Sequence, residues 1–291
     1  MSAEHPDHDN APAATQHKEH ADMGKLYDHE IALPFNQDPQ TWLEDHKEEW
    51  DGCFECSDEP VTEVTVLCID ERMQLEMKTQ SGKRVLRMAG SGILWQKQHG
   101  LNDLVEHFVR YVESLRQGRP LNAIKVKIGA HGNGCGAGGV AFNKEGDTDQ
   151  KTCDYLEKTL VPALQERGIK AAYIGKAPMR KDRPAHSALG AAVDCSNRLQ
   201  RLPEGMNTFI ISRLSVAQAI HDATLALEGV TLGGHGYGPG LLKQYTFVVV
   251  RDPQNDMDSQ EIIHALEQLQ QKYKGKVDVR IVTREAPKVA S

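Results

Sequence analysis

Apolar residues in this chain recur in two patterns, and the alternation between them predicts its elements. Short β-branched runs predict strands at Val61–Asp70 (VTEVTVLCID), Arg84–Met88, Ala123–Gly129, Lys170–Gly175, Thr208–Ser212, Tyr245–Arg251 and Val277–Val282. Between them, apolar positions return every three or four residues. Gln98–Gln117 spaces Leu101, Leu104, Val105, Phe108, Val109, Val112 and Leu115 in that way and is closed by Gly118 and Pro120. Helices are expected likewise over Thr152–Arg167, Ala185–Leu202, Val216–Leu227 and Ser259–Tyr273. Strands alternating with helices predict an α/β fold, a mostly parallel β-sheet flanked by helices. No repeat of fixed period is visible, although Gly-His-Gly occurs at Gly234-His235-Gly236.

The first 60 residues do not follow either pattern. Residues 1–24 are polar, carry four histidines and read as a disordered arm. From Lys25 to Pro60 the aromatics Tyr27, Phe35, Trp42, Trp50 and Phe54 predict short helices lying across another surface, such as that of a second subunit. The expected division is therefore an acidic N-terminal arm (1–60) and an α/β domain (61–291).

Charge sharpens that division. Residues 1–60 hold sixteen Asp/Glu and three Lys/Arg, a balance of -13, leaving +6 on the rest of a chain whose net charge is -7. A mildly basic body suits a small anionic ligand and argues against nucleic acid. No apolar run is long enough to span a bilayer and no export signal opens the chain, so a cytoplasmic protein is expected. Six cysteines in 291 residues are too sparse for a disulfide framework and should stay reduced.

Ligands of open α/β sheets gather beyond the carboxyl ends of the strands. Two predicted strand ends carry reactive side chains, Cys68-Ile69-Asp70-Glu71-Arg72 and His131-Gly132-Asn133-Gly134-Cys135. If the first strand runs on to Asp70, Cys68 and Asp70 share one face, with Arg72 near enough to pair with the carboxylate. Cys68, His131 and Cys135 form a Cys₂His set suited to zinc, which leaves a fourth position for water and brings that water's pKa down to about 7. Asp70 would accept its hydrogen bond.

These segments resemble the β-class carbonic anhydrases. C-x-D-x-R stands at Cys68–Arg72, R-x-A-G at Arg87-Met88-Ala89-Gly90, and G-x-H…C-G-A at Gly129-Ala130-His131…Cys135-Gly136-Ala137, with a helix between the second and third. The match spans residues 61–140. The resemblance implies a zinc enzyme that interconverts carbon dioxide and bicarbonate through a zinc-bound hydroxide. It implies Cys68, His131 and Cys135 as ligands, Asp70 and Arg72 as the catalytic dyad, and Gly90 at the border of the substrate pocket. It also implies a homodimer or higher homo-oligomer. One departure is plain: H-x-x-x-C stands where the family has H-x-x-C, a residue that Gly132 and Gly134 can absorb.

Other readings remain open. A non-catalytic zinc-stabilised scaffold would use Asp70 or His235 as a fourth ligand, and hydrolases of carbonyl sulfide or carbon disulfide share such motifs. Gly134–Gly139 satisfies the dinucleotide pattern G-x-G-x-x-G, but Val140–Thr148 opens no apolar helix after it. His235 lies among five glycines in residues 233–240 and reads equally as a pocket lid, a proton shuttle or a surface turn. Cys53 and Cys56 read as ordinary thiols, Cys153 and Cys195 as core residues of helices, His99 and His107 as surface or packing residues.

Overall fold

The computed structural model describes residues 45, 47–55, 57, 59–70, 73, 79–132, 134–178, 190–202, 208–231 (side chains to 228) and 245–283. Arg72, Cys56, His235, most of the N-terminal arm and the rest of the glycine-rich loop lie outside the described residues.

Among the described residues, strands and helices follow one another along the chain. The chain runs α1 (Lys47–Asp51), β1 (Glu63–Leu67), β2 (Lys83–Arg87), α2 (Ile93–His99), α3 (Leu101–Leu115), β3 (Lys125–Ala130), α4 (Gly136–Ala141) and α5 (Thr148–Tyr155). A wide turn at Leu156–Leu160 leads into α6 (Val161–Glu166), β4 (Lys170–Lys176), β5 (Gly190–Asp194), β6 (Phe209–Ser212) and α7 (Val216–Thr231). The chain continues with β7 (Tyr245–Arg251), α8 (Asp256–Lys272) and β8 (Val277–Thr283). Gly100, at φ +94°, separates α2 from α3.

The strands form two four-stranded sheets, and every pairing is parallel. Their orders are β2-β1-β3-β4 and β6-β5-β7-β8, the same winding executed twice. This duplication has no counterpart in a sequence period, because the two halves share topology without sharing residues. The outer strands β2 and β6 join the halves. The Arg87 N–H donates to Ser212 Oγ at 2.9 Å, and Ser212 Oγ donates to the Val85 carbonyl at 3.3 Å.

Three apolar cores result. One packs β1 and β3 against α3, α5 and α6 through residues such as Val66, Phe108, Ile128 and Leu160. A central core joins the carboxyl end of the first sheet (Leu67, Cys68, Ala89) to β5, β7, α7 and α8 of the second. The third buries Trp50, Cys53 and Phe54 under Ile210 and Val248. The end of the arm therefore lies on the second sheet of its own chain, and Phe54 bridges to Leu199.

Two expectations are corrected. The helix expected over Ala185–Leu202 is absent from its described part, where Gly190–Asp194 is a strand buried at every position. Its alanines favour helix locally, but burial on both faces demands an unbroken apolar run rather than a 3.6-residue stripe. Cys195 is buried as expected, but just beyond β5 rather than on a helix. The first strand also ends at Leu67, short of Asp70. Among the described residues no helix is long and apolar enough to cross a membrane.

Gly190 shows why β5 tolerates no larger residue there. A Cβ at this position would meet the Thr246 carbonyl oxygen at 2.4 Å, inside the β5–β7 pairing. Gly190→Ala should therefore destabilise the chain by about 2–3 kcal/mol, read as a lower midpoint in urea unfolding.

Candidate functional site

β1 and β3 are neighbours, so their carboxyl ends emerge side by side. Cys68 follows β1 at once and Asp70 comes two residues later; His131 follows β3 at once and Cys135 lies four residues further on. All four are buried, between 3% and 5% exposed. The fold thus brings Cys68 and Asp70 together with His131 and Cys135, some 60 residues further along the chain.

They meet as two adjacent pairs. His131 Nε2 lies 2.9 Å from Asp70 Oδ2. The Cys135 thiol hydrogen-bonds to the Cys68 sulfur, and this bond pulls the Cys68 pKa down to about 6 against the opposing effect of burial. His131 and the Asp70 backbone N–H lower it further. The same hydrogen bond holds the Cys135 proton in place, and with burial it raises that thiol well above its ordinary value. Of the two sulfurs, Cys68 is the one favoured as thiolate.

The loop carrying His131 and Cys135 is pinned by local chemistry. Asp149, at the start of α5, accepts from Gly134 N at 2.7 Å and from Cys135 N at 3.0 Å. Cys135 caps α4, its sulfur accepting from Gly138 N at 3.3 Å. Gly134 adopts φ +73°, a left-handed conformation that glycine takes without strain.

The loop carrying Cys68 and Asp70 is pinned by Arg87, at the end of β2. Its Nη1 donates to the Cys68 carbonyl at 3.3 Å and to the Asp70 carbonyl at 2.9 Å, with only 1% of the residue exposed. Sequence reasoning gave this role to no residue, and a strand that also carries Lys83 and Arg84 does not single out Arg87. Arg72, expected beside Asp70, lies outside the described residues, as does His235. Gly90 is where a pocket wall was expected. It is buried at φ +57°, and a Cβ there would meet Ile93 Cγ2 at 2.6 Å and Ala137 Cβ at 3.0 Å, so the backbone after β2 closes directly on α4.

The second half reaches into this region. Asp222 of α7 accepts from the Ala89 N–H at 2.8 Å and from Gln218 Nε2 at 2.7 Å. His221, its neighbour, lies edge-on to the buried Trp95, on whose ring the exposed His99 stacks at 3.8 Å. Trp95 Nε1 donates to Asp103, which also lies 3.3 Å from His107 Nδ1. His99 and His107 are thus packing and surface residues, as expected.

Comparison with protein-family models, with curated proteins and with solved structures finds no match. The site has to be read from its own chemistry. Two sulfurs, an imidazole and a carboxylate make a soft donor set of the kind that holds zinc. Among the described residues, no group of three or more His, Cys, Asp or Glu side chains stands ready-formed around a single point. The donor types fit zinc, and the pairs would have to turn toward one centre to hold it. The five described cysteines are free thiols.

Two outcomes follow for the metal-free protein. A thiolate should titrate near pH 6 in ultraviolet absorbance, disappear in Cys68→Ser, and shift upward in Cys135→Ala, which removes the donated hydrogen bond. Because the folded-state pKa is lowered, this group adds stability that is complete above the ordinary thiol range and lost as pH falls through about 6. Asp149→Ala, which unpairs two backbone N–H groups, should cost about 2 kcal/mol in chemical unfolding.

Proposed function

We propose that this chain is a zinc-dependent enzyme that reversibly hydrates carbon dioxide to bicarbonate, as its resemblance to the β-class carbonic anhydrases implies. The observation that supports this most is the convergence of Cys68, Asp70, His131 and Cys135 at adjacent strand ends, buried together. Cys68, Cys135 and His131 are the residues that would hold the metal. When bound, zinc supplies the Lewis acid that makes water a nucleophile near neutral pH.

The chain's own residues do the rest. The lowered pKa of Cys68 favours the ligating thiolate without a separate base. Asp70, which lies 2.9 Å from His131 Nε2, would accept a hydrogen bond from the attacking water and orient it. Arg87 sets the backbone from which Cys68 and Asp70 project, so their relative position does not depend on a flexible strand end. Burial excludes bulk water and strengthens each of these interactions. Reduced thiols throughout the described chain suit a reducing compartment such as the cytoplasm.

A second reading is favoured by the same carboxylate. Asp70 already sits on His131 and is 3% exposed. As a fourth ligand it would close the site and make the metal purely structural.

Stopped-flow carbon dioxide hydration by the zinc-loaded chain separates the two. The enzyme reading expects about one zinc per chain and a rate well above buffer. Cys68→Ala and Cys135→Ala should lose the zinc and fall to the buffer rate. Asp70→Asn should keep its zinc while turnover drops about 100-fold or more. Full zinc occupancy with no rate above buffer would overturn the enzyme reading and leave the structural one.

A further inference from the structure

A strained residue lies between β2 and α2, next to the candidate site. Gly90, Ser91 and Gly92 follow one another at φ +57°, +57° and +98°. Glycine takes such angles freely, but a residue with a Cβ does not, and in this run only Ser91 has one. It is fully buried. A residue held against its own preference persists where its surroundings fix it, and such positions concentrate at functional sites.

The surroundings show what holds the serine and what it holds. Its N–H donates to the Met88 carbonyl at 2.9 Å and closes the turn. Its hydroxyl donates to the Gly129 carbonyl at 2.7 Å, 38 residues further on. Gly129 lies where β3 parts from both neighbours. The pairing with β1 ends at Val66 and Ile128, and the pairing with β4 shifts register between Ile128 and Ala130. Gly129 is therefore in neither register, and the serine hydroxyl satisfies its carbonyl there. A Cβ at Gly129 would meet Leu67 Cδ2 at 2.9 Å, so β1 presses on the same residue. The Ala130 carbonyl accepts from the Ala177 N–H at 2.9 Å, and His131 comes next. The turn that carries Ser91 is itself anchored, because Asp222 of the second half accepts from the Ala89 N–H at 2.8 Å.

We propose that Ser91 is a positioning residue for His131. Its hydroxyl fixes the end of β3, and that end sets where the imidazole stands against Asp70. In the zinc enzyme proposed above, on which this part of the inference rests, the same hold would aim His131 at the metal. Two requirements oppose each other at this position. Glycine would relieve the backbone but would leave the buried Gly129 carbonyl without its donor, and the chain keeps the hydroxyl.

Nuclear magnetic resonance of the full, metal-free chain labelled with ¹⁵N at histidine tests this, with the His131 ring signals assigned by their loss in His131→Gln. Ser91→Gly relieves the backbone as it removes the hydroxyl, so its melting temperature should stay within about 5 °C of the parent. Its His131 ring signals should nonetheless shift, while those of His264, exposed on α8, stay in place. Ser91→Ala keeps the unfavourable φ, lacks the hydroxyl and should shift them in the same way. Ser259→Ala removes a buried serine hydroxyl from α8 of the second half. It should lower the melting temperature without moving the His131 signals. Zinc affinity, read by chelator competition, should fall about tenfold or more in both Ser91 variants and stay parental in Ser259→Ala. Parental His131 signals in both Ser91 variants, or an equal shift in Ser259→Ala, would overturn the proposal. A parent that binds no zinc, with His131 signals that still shift in the Ser91 variants, would overturn the zinc reading and leave Ser91 its role.

Discussion

The Arg87 guanidinium is the interaction on which the rest of the molecule depends. A buried cation costs several kcal/mol unless its donors are used, and breaking such a network costs about as much. Here the side chain holds the Cys68 and Asp70 carbonyls, while the backbone N–H of the same residue holds Ser212 of the second sheet. One residue therefore sets the turn that presents the thiol and the carboxylate and also fastens the two halves together. Both carbonyls are held by one nitrogen of the guanidinium, Nη1.

From that seam outward, the molecule is one winding used twice with different loop chemistry. In each sheet the first strand lies second in order, so the loops after the two central strands face each other at the carboxyl edge. In the first half those loops supply sulfur, imidazole and carboxylate. In the second, β5 is followed by Cys195 and, two residues on, by Asn197, and β7 by Asp252. The first edge is also completed by the second half, where Asp222 of α7 holds the backbone at Ala89. Fold and chemistry are separable here, as they are wherever sites are grafted onto a shared scaffold.

Burial raises the thiol pKa at both edges, and it is outweighed at only one. At Cys68 the hydrogen bond from Cys135 outweighs desolvation, and the thiol becomes acidic. At Cys195 burial dominates and the thiol stays protonated. The two cysteines occupy the same place in the same winding, so the neighbour decides reactivity.

Most strands and helices were legible from apolar periodicity, because an element's period is a local property of its own residues. Tyr245–Arg251 is a strand over the span its β-branched run predicts. The candidate donors Cys68, Asp70, His131 and Cys135 were legible too, since strand ends followed by such residue types are few in one chain. The strand at Gly190–Asp194 was not, because its alanines favour helix and only packing on both faces reverses that preference. The pairing of Asp70 with His131, the tether from Arg87 and the hold of Ser91 on Gly129 were decided by tertiary structure alone. Each joins residues distant in the chain, and which of them meet is set by strand order and burial, neither of which a local pattern encodes.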